Sequence, residues 1–448
     1  MRKFTKKSQI MLYGCAGLGV NMLNMIVGTY LCSALLVGGF EHNVENWTYL
    51  NKDLVVAALW SLLIVIAKAI DGIIDVPLSH LTDNLKTRWG KRRPSIVLGY
   101  VPMIIAYLLF LVPVDHEASI LNTLWFAFVL FVFYGAYTLT MLTYYATFAE
   151  VTRTEKELVL LSNVKSVCDV VYFSMSYALV PLFVSLGMNI RNVAVAFLPL
   201  SLTMLIPLFM LKEESTLEAD NTDAPAERVS LKKSLFFVFK DKPFIFWMCC
   251  VFVMNMGLQL FLGGINEYFS TTGLNMTVVM ATCFVPVPFT LILYNRIVNK
   301  KGLGFAYRYI LLVFALGMGL MGFCRLVPAS IIYPYVIFCS LVVSFAIGAF
   351  FSITYTVPSH RAALRVEESK TASSMYFAIH GLFEGVSAGI GTGVILVFLK
   401  QSEADLGFDL MPYMTVIVAV LCVIACIMSL RLPKSIVKLG LTDGQGEA

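Results

Sequence analysis

Twelve stretches of this chain are apolar over about the 20 residues that a helix needs to cross a bilayer. They fall near 9–37, 54–78, 95–113, 121–149, 159–186, 192–211, 243–270, 274–295, 309–329, 331–356, 372–399 and 410–430 of the 448 residues. Lipid offers a backbone no hydrogen-bond partners, so each stretch must satisfy its own, as an α-helix does. Composition agrees. Hydrophobic residues make up 58%, charged residues 14%, and the mean hydropathy is +0.80, where a soluble domain is about a quarter charged. This excludes an ordinary soluble enzyme, a disordered protein and a nucleic-acid binder. The expected fold class is an all-α polytopic membrane protein with twelve transmembrane helices.

Lys and Arg placement orients these helices. With the N-terminus in the cytoplasm, the cytoplasmic segments carry 27 of the 33 basic residues, while the opposite loops carry only Lys52, Arg191, Arg325 and Lys400. Such a bias sets the orientation and places both termini in the cytoplasm. The net charge of +5 then needs no nucleic-acid partner. The first apolar run exceeds a signal-peptide core and lacks a clear cleavage site, so it is expected to be retained. All ten cysteines fall in apolar runs and are expected to be buried thiols.

The longest hydrophilic stretch, residues 212–234, divides the chain. The expected organisation is a six-helix half at 1–211, a cytoplasmic loop at 212–242, a second half at 243–430 and a tail at 431–448. This resembles the major facilitator transporters, whose halves rock about a site near the membrane midplane.

The second helix and the loop after it, KAIDGIIDVPLSHLTDNLKTRWGKRRPSIVLG at 68–99, are the most informative. Lys68, Asp71 and Asp75 are spaced i, i+3, i+7 and share a helix face. Each charge in hydrocarbon costs at least about 2.5–3.5 kcal/mol, so the stripe should face the protein interior. Two carboxylates one turn apart, offset by Lys68, can hold H⁺ or Na⁺. Further on, Asp83 precedes Arg88, Gly90, Lys91 and Arg92 in a tight turn, and Pro94 suits the first turn of the third helix. A carboxylate facing guanidinium groups across a short loop can hold two helices in one conformation and release them in another.

These residues resemble the glycoside–pentoside–hexuronide:cation symporter family, which carries a basic residue, then D-x-x-x-D, then a RWG-[KR]-x-[KR]-P loop. YGCAGLG at 13–19 and TRTEKELVLLSNVK at 152–165 are similar to its first helix and to its entry into the fifth. In the second half the resemblance rests on NRIVNKKG at 295–302 and the polar link 357–371. It implies a bacterial cytoplasmic-membrane protein with a cation site at Asp71 and Asp75. It implies sugar contacts at Asn21, where the family has Asp, and at Lys165, where it has Arg. A fourth-helix Asp of the family aligns with Leu142, a Trp that stacks on sugar aligns with Ala146, and an eleventh-helix Lys falls around Leu382. With only Thr140 and Thr143 near the lost carboxylate, a Na⁺ shell is thinner, which favours H⁺ as the coupling ion.

The chain adds membrane charges of its own. Asp169 follows Lys165 by four residues, and Glu384 follows His380 by four, so each pair shares a helix face. Either can be a packing pair or part of a substrate site; a His–Glu pair can also relay protons. Tyr137, Tyr144 and Tyr145 cluster on the fourth helix and can line a cavity or pack. Glu267, near the outer end of the seventh helix, is expected to be interfacial and hydrated. No nucleophile–base pair, phosphate loop or cofactor motif is present, so no cofactor is expected beyond the coupling ion.

The expected function is cation-coupled symport of a glycoside, pentoside or hexuronide. The partners are the small-molecule substrate, the cation and the bilayer. Lys165 suits a carboxylated sugar unless Asp169 neutralises it. Two rivals stand beside this reading: a facilitator of an amphipathic or lipid-like solute, and a membrane sensor that binds a solute without moving it.

Overall fold

Apolar runs fold as helices throughout the computed structural model of the chain, which describes residues 3–83, 85–153, 155–213, 215, 236, 238–366 and 372–439. Helix α1 covers Lys7–Leu35. Two α-helical pieces, Lys7–Gly14 and Leu18–Met25, lead into a π-helical turn at Ile26–Leu31. Then come α2 (Ala57–Asp83), α3 (Arg92–Phe110), α4 (Ile120–Val151), α5 (Glu155–Ser185) and α6 (Ile190–Met210). Ser119 starts α4 by accepting the Asn122 amide at 3.1 Å, which satisfies one of the orphan donors of a helix start.

The second part of the chain forms α7 (Lys242–Gly263 and Ile265–Thr272), α8 (Met276–Phe284 and Val287–Lys301) and α9 (Leu303–Gly322). It ends with α10 (Ile332–Val366), α11 (Ala372–Gly389, Ile390–Ile395 and Leu396–Leu406) and α12 (Met414–Ser429). Among the described residues, ten of these helices are long and apolar enough to cross a membrane. The exceptions are α8 and α10. The apolar stretch expected at 274–295 is interrupted before Val287, where Pro286 supplies no amide to the preceding turn. In α10 the apolar piece is the shorter Ile332–Ile347.

Two compact units result. The first comprises Met1–Val37, Val44–Trp60 and Ile73–Arg228. In it α3 lies along α4, and α1 packs on α5 and α6. Its core is aromatic, with Tyr13, Tyr30, Tyr107, Phe110 and Phe126 fully buried. The second comprises Gly38–Asn43, Ser61–Gly72 and Val229–Ala448. There α9 packs on α10 and α12, and α7 packs on α11 and α12, around Trp247, Tyr268 and Tyr307. Large exposed side chains such as Phe128, Phe209 and Phe289 are compatible with lipid, which is as apolar as they are. All ten cysteines are unbridged, and none is exposed.

Candidate functional site

The charged stripe lies on α2. Lys68 and Asp71 are half-buried, and both engage partners. Asp75 falls one turn further along α2; its side chain, like that of Asp83, lies outside the described residues. In the second unit, the backbones of α2 and α11 touch. A Cβ added at Gly385 would stand 2.1 Å from the Lys68 carbonyl oxygen, and one added at Gly72 would stand 2.2 Å from the Gly381 carbonyl. Only glycine permits this approach. It lays the turn of α2 bearing Lys68 and Asp71 against the turn of α11 bearing His380 and Glu384.

His380 Nε2 and Glu384 Oε1 are 3.4 Å apart, with the side chains 2% and 26% exposed. Asn255 of α7 donates to the Glu384 carbonyl at 3.0 Å and to Ser387 Oγ at 2.7 Å, fixing α11 beside α7. Asn255 is a lone amide in an apolar run and carries no local sequence signal. Among the described residues, no group of three or more His, Cys, Asp or Glu side chains forms a ligand set for a metal ion.

The first unit gathers the remaining candidates. Tyr137 donates its hydroxyl to Asn21 Oδ1 at 2.9 Å, joining α4 to α1. Lys165 Nζ lies 2.6 Å from Asp169 Oδ2, one turn along α5. The same ammonium sits 5.1 Å from the ring centre of Tyr145, within the range of a cation–π contact. The Tyr145 hydroxyl is within reach of both Asn21 and Lys165. Asn21, Tyr137, Tyr145, Lys165 and Asp169 thus form one cluster on α1, α4 and α5. His380 and Glu384, expected to share a substrate site with them, belong to the second unit.

The Lys165 and Asp169 side chains remain 34% and 26% exposed. A charged pair left open on a membrane helix is expensive unless it faces water or a polar ligand. The neighbouring tyrosine behaves differently. Tyr144 is sealed, donates to the Tyr13 carbonyl at 2.6 Å, and packs edge-on against Phe148. Of the readings open for it, packing holds. Thr140 and Thr143 are buried and donate back to the Ala136 and Leu139 carbonyls of α4 at 2.8 and 2.7 Å. Leu142 is half-buried and Ala146 is exposed, which leaves this side of α4 apolar.

The turn before α3 is held by carboxylates that the sequence did not single out. Gly90 adopts φ +84, a left-handed conformation suited to glycine, and a Cβ there would stand 2.2 Å from Glu213 Oε2. Glu213 accepts the Arg92 amide at 3.0 Å and the Arg93 amide at 3.2 Å, capping the start of α3. The buried Arg92 guanidinium donates to Glu150 Oε1 at the end of α4, at 2.7 and 3.1 Å. The side chain of the expected carboxylate across the loop, Asp83, lies outside the described residues. Arg88 is exposed and Lys91 half-buried. Burial holds the Glu213 carboxyl above its ordinary value, the amides of Arg93 and Arg92 pulling the other way.

Two linked expectations are overturned. Glu267 is not hydrated: its side chain is fully buried and pairs with Lys400 Nζ at 2.7 Å. Lys400, expected in a loop, lies within α11, 2% exposed, over the Phe40 ring at 4.8 Å. The pair lies 133 residues apart in sequence, so no local spacing announces it.

The sequence profile of a family described as MFS/sugar transport protein matches residues 12–432. Solved structures share the fold. A D-xylose-proton symporter is 16% identical, covering 97% of this chain and 99% of its own, with a TM-score of 0.65. The nucleoside transporter NupG is 13% identical, with coverages of 95% and 98% and a TM-score of 0.60. A bacterial homologue of the human lysosomal transporter Spinster is 11% identical, with coverages of 94% and 96% and a TM-score of 0.60. No curated protein matches the chain.

Proposed function

This chain belongs to the MFS/sugar transport protein family, and on that premise we propose that it imports a small polyhydroxylated solute by cation-coupled symport. It is an integral membrane protein of the major facilitator fold and a secondary transporter, not an enzyme. The observation that carries the finer reading is the cluster of Asn21, Tyr137, Tyr145, Lys165 and Asp169. It offers an amide, two phenols, an ammonium, a carboxylate and an aromatic face. Sugar hydroxyls both donate and accept, and sugar rings present apolar faces.

Coupling falls to α2. Asp71 and Asp75, one helical turn apart, take the cation; Lys68 balances their charge. H⁺ suits them better than Na⁺, since Leu142 brings no oxygen and the Thr140 and Thr143 side chains are sealed in the helix packing. Alternating access follows from differential affinity: cation and substrate together stabilise the state that neither favours alone. Both termini lie in the cytoplasm, and the membrane is the bacterial cytoplasmic one. The turn at Gly90, tied by Arg92 to Glu150 and by Glu213 to α3, serves as an inner lock.

One observation favours a second reading. Leu142 and Ala146 make the α4 wall apolar beside Tyr145, which suits an amphipathic solute. Entrance counterflow in proteoliposomes decides, because it needs no ion gradient. Liposomes preloaded with unlabelled sugar should draw in labelled sugar transiently. Counterflow of amphipaths alone would favour the second reading, and binding with no counterflow would leave a sensor.

A further inference from the structure

The charges of the α1–α4–α5 cluster are already matched. Lys165 is held by Asp169 at 2.6 Å, a short, charge-assisted contact. Its ammonium also lies against the Tyr145 ring, with the phenol within reach. Asp169 is itself 26% exposed, so a ligand that meets the ammonium meets the carboxylate beside it.

This arrangement has chemical consequences. A carboxylate ligand has only acceptors, and Asp169 has only acceptors. An anionic sugar must therefore displace Asp169 from Lys165 or share the ammonium against like-charge repulsion. A hydroxyl can donate to Asp169 and accept from Lys165 or Asn21 at once. Tyr137 already donates to Asn21 Oδ1, and the Asn21 amide also engages the Tyr145 hydroxyl, so at most one Asn21 amide proton is left for a ligand, and an oxygen acceptor that need not be charged satisfies it.

We propose that Asp169 is a specificity-determining residue that makes this site accept neutral polyhydroxylated solutes and reject their carboxylated counterparts. The inference rests on the sugar-transport reading and narrows it. Asp169 acts as a screen: without it, the Lys165 ammonium is open to an anion.

The test uses two probes that differ only at C6, methyl β-D-glucoside and methyl β-D-glucuronide. Uptake into proteoliposomes is measured for the full-length chain, Asp169→Asn, Asp169→Glu and the double variant Asp169→Asn/Lys165→Gln. The unaltered chain should prefer the glucoside by about tenfold or more. Asp169→Asn should shift that ratio toward the glucuronide by about the same factor, Asp169→Glu should keep it, and the double variant should lose the gain. If a variant is transport-dead, competition binding to purified protein is read by the same ratios. Equal uptake of both probes by the unaltered chain, or an unmoved ratio in Asp169→Asn, overturns the role of Asp169 while leaving sugar transport standing. No uptake or binding of either probe by the unaltered chain overturns both.

Discussion

Glu267 and Lys400 meet at 2.7 Å with the two side chains 0% and 2% exposed, an ion pair sealed inside the second unit. Desolvating two charges offsets much of their attraction, but removing one partner strands the other. Lys400→Met should destabilise the protein by about 3–5 kcal/mol, and the charge-free double variant Glu267→Leu/Lys400→Met should recover most of that loss. Thermal unfolding of the purified variants checks this. A double variant no better than the single one would mean the pair holds more than its own charges.

Glu213 gives a pH dependence outside the membrane. Burial raises its pKa above the ordinary 4.5, so folding favours its protonated form. The contribution is fully present below 4.5 and is lost as pH rises through the raised folded value. Relative to Glu213→Gln, the unaltered protein should lose stability as pH climbs above 4.5. Unfolding midpoints of both proteins across that range test it, and parallel curves would refute it.

Tyr137→Phe removes the donor to Asn21 Oδ1 and keeps the ring. The expected cost is about 1 kcal/mol, or roughly fivefold weaker substrate binding. The unfolding midpoint should move little. Saturation curves for uptake separate the two effects, and a lowered midpoint with unchanged affinity would make the tyrosine a packing residue.

Gly385→Ala places a methyl group 2.1 Å from the Lys68 carbonyl. The helices must part, at about 1–3 kcal/mol for overpacking, and transport should fall with stability. Full activity in this variant would show that the contact between α2 and α11 is dispensable.

Local spacing explains what the sequence made legible. Lys165–Asp169 and His380–Glu384 were visible because an α-helix brings i and i+4 together, and both pairs form. Gly90 stood out because a tight turn needs its conformation, and φ +84 is what it adopts. Partners brought together by tertiary packing were not visible. Glu150 and Glu213 reach Arg92 from 58 and 121 residues away, and Lys400 reaches Glu267 across 133. Tyr137 and Tyr144 look alike in sequence, yet one turns toward Asn21 and the other into the core. Seven residues apart, they share a face of α4 and both donate to α1; which group of α1 each meets is set by tertiary packing, not by the residues around it.

Coupling through α2 is tested most directly by accumulation. Proteoliposomes carrying the unaltered chain, Asp71→Asn or Asp75→Asn are given an imposed H⁺ or Na⁺ gradient, and labelled methyl β-D-glucoside is followed inward. The unaltered chain should concentrate the sugar against its gradient, driven by H⁺, and each variant should lose accumulation while keeping sugar counterflow. Accumulation that persists in both variants would contradict a cation site on α2.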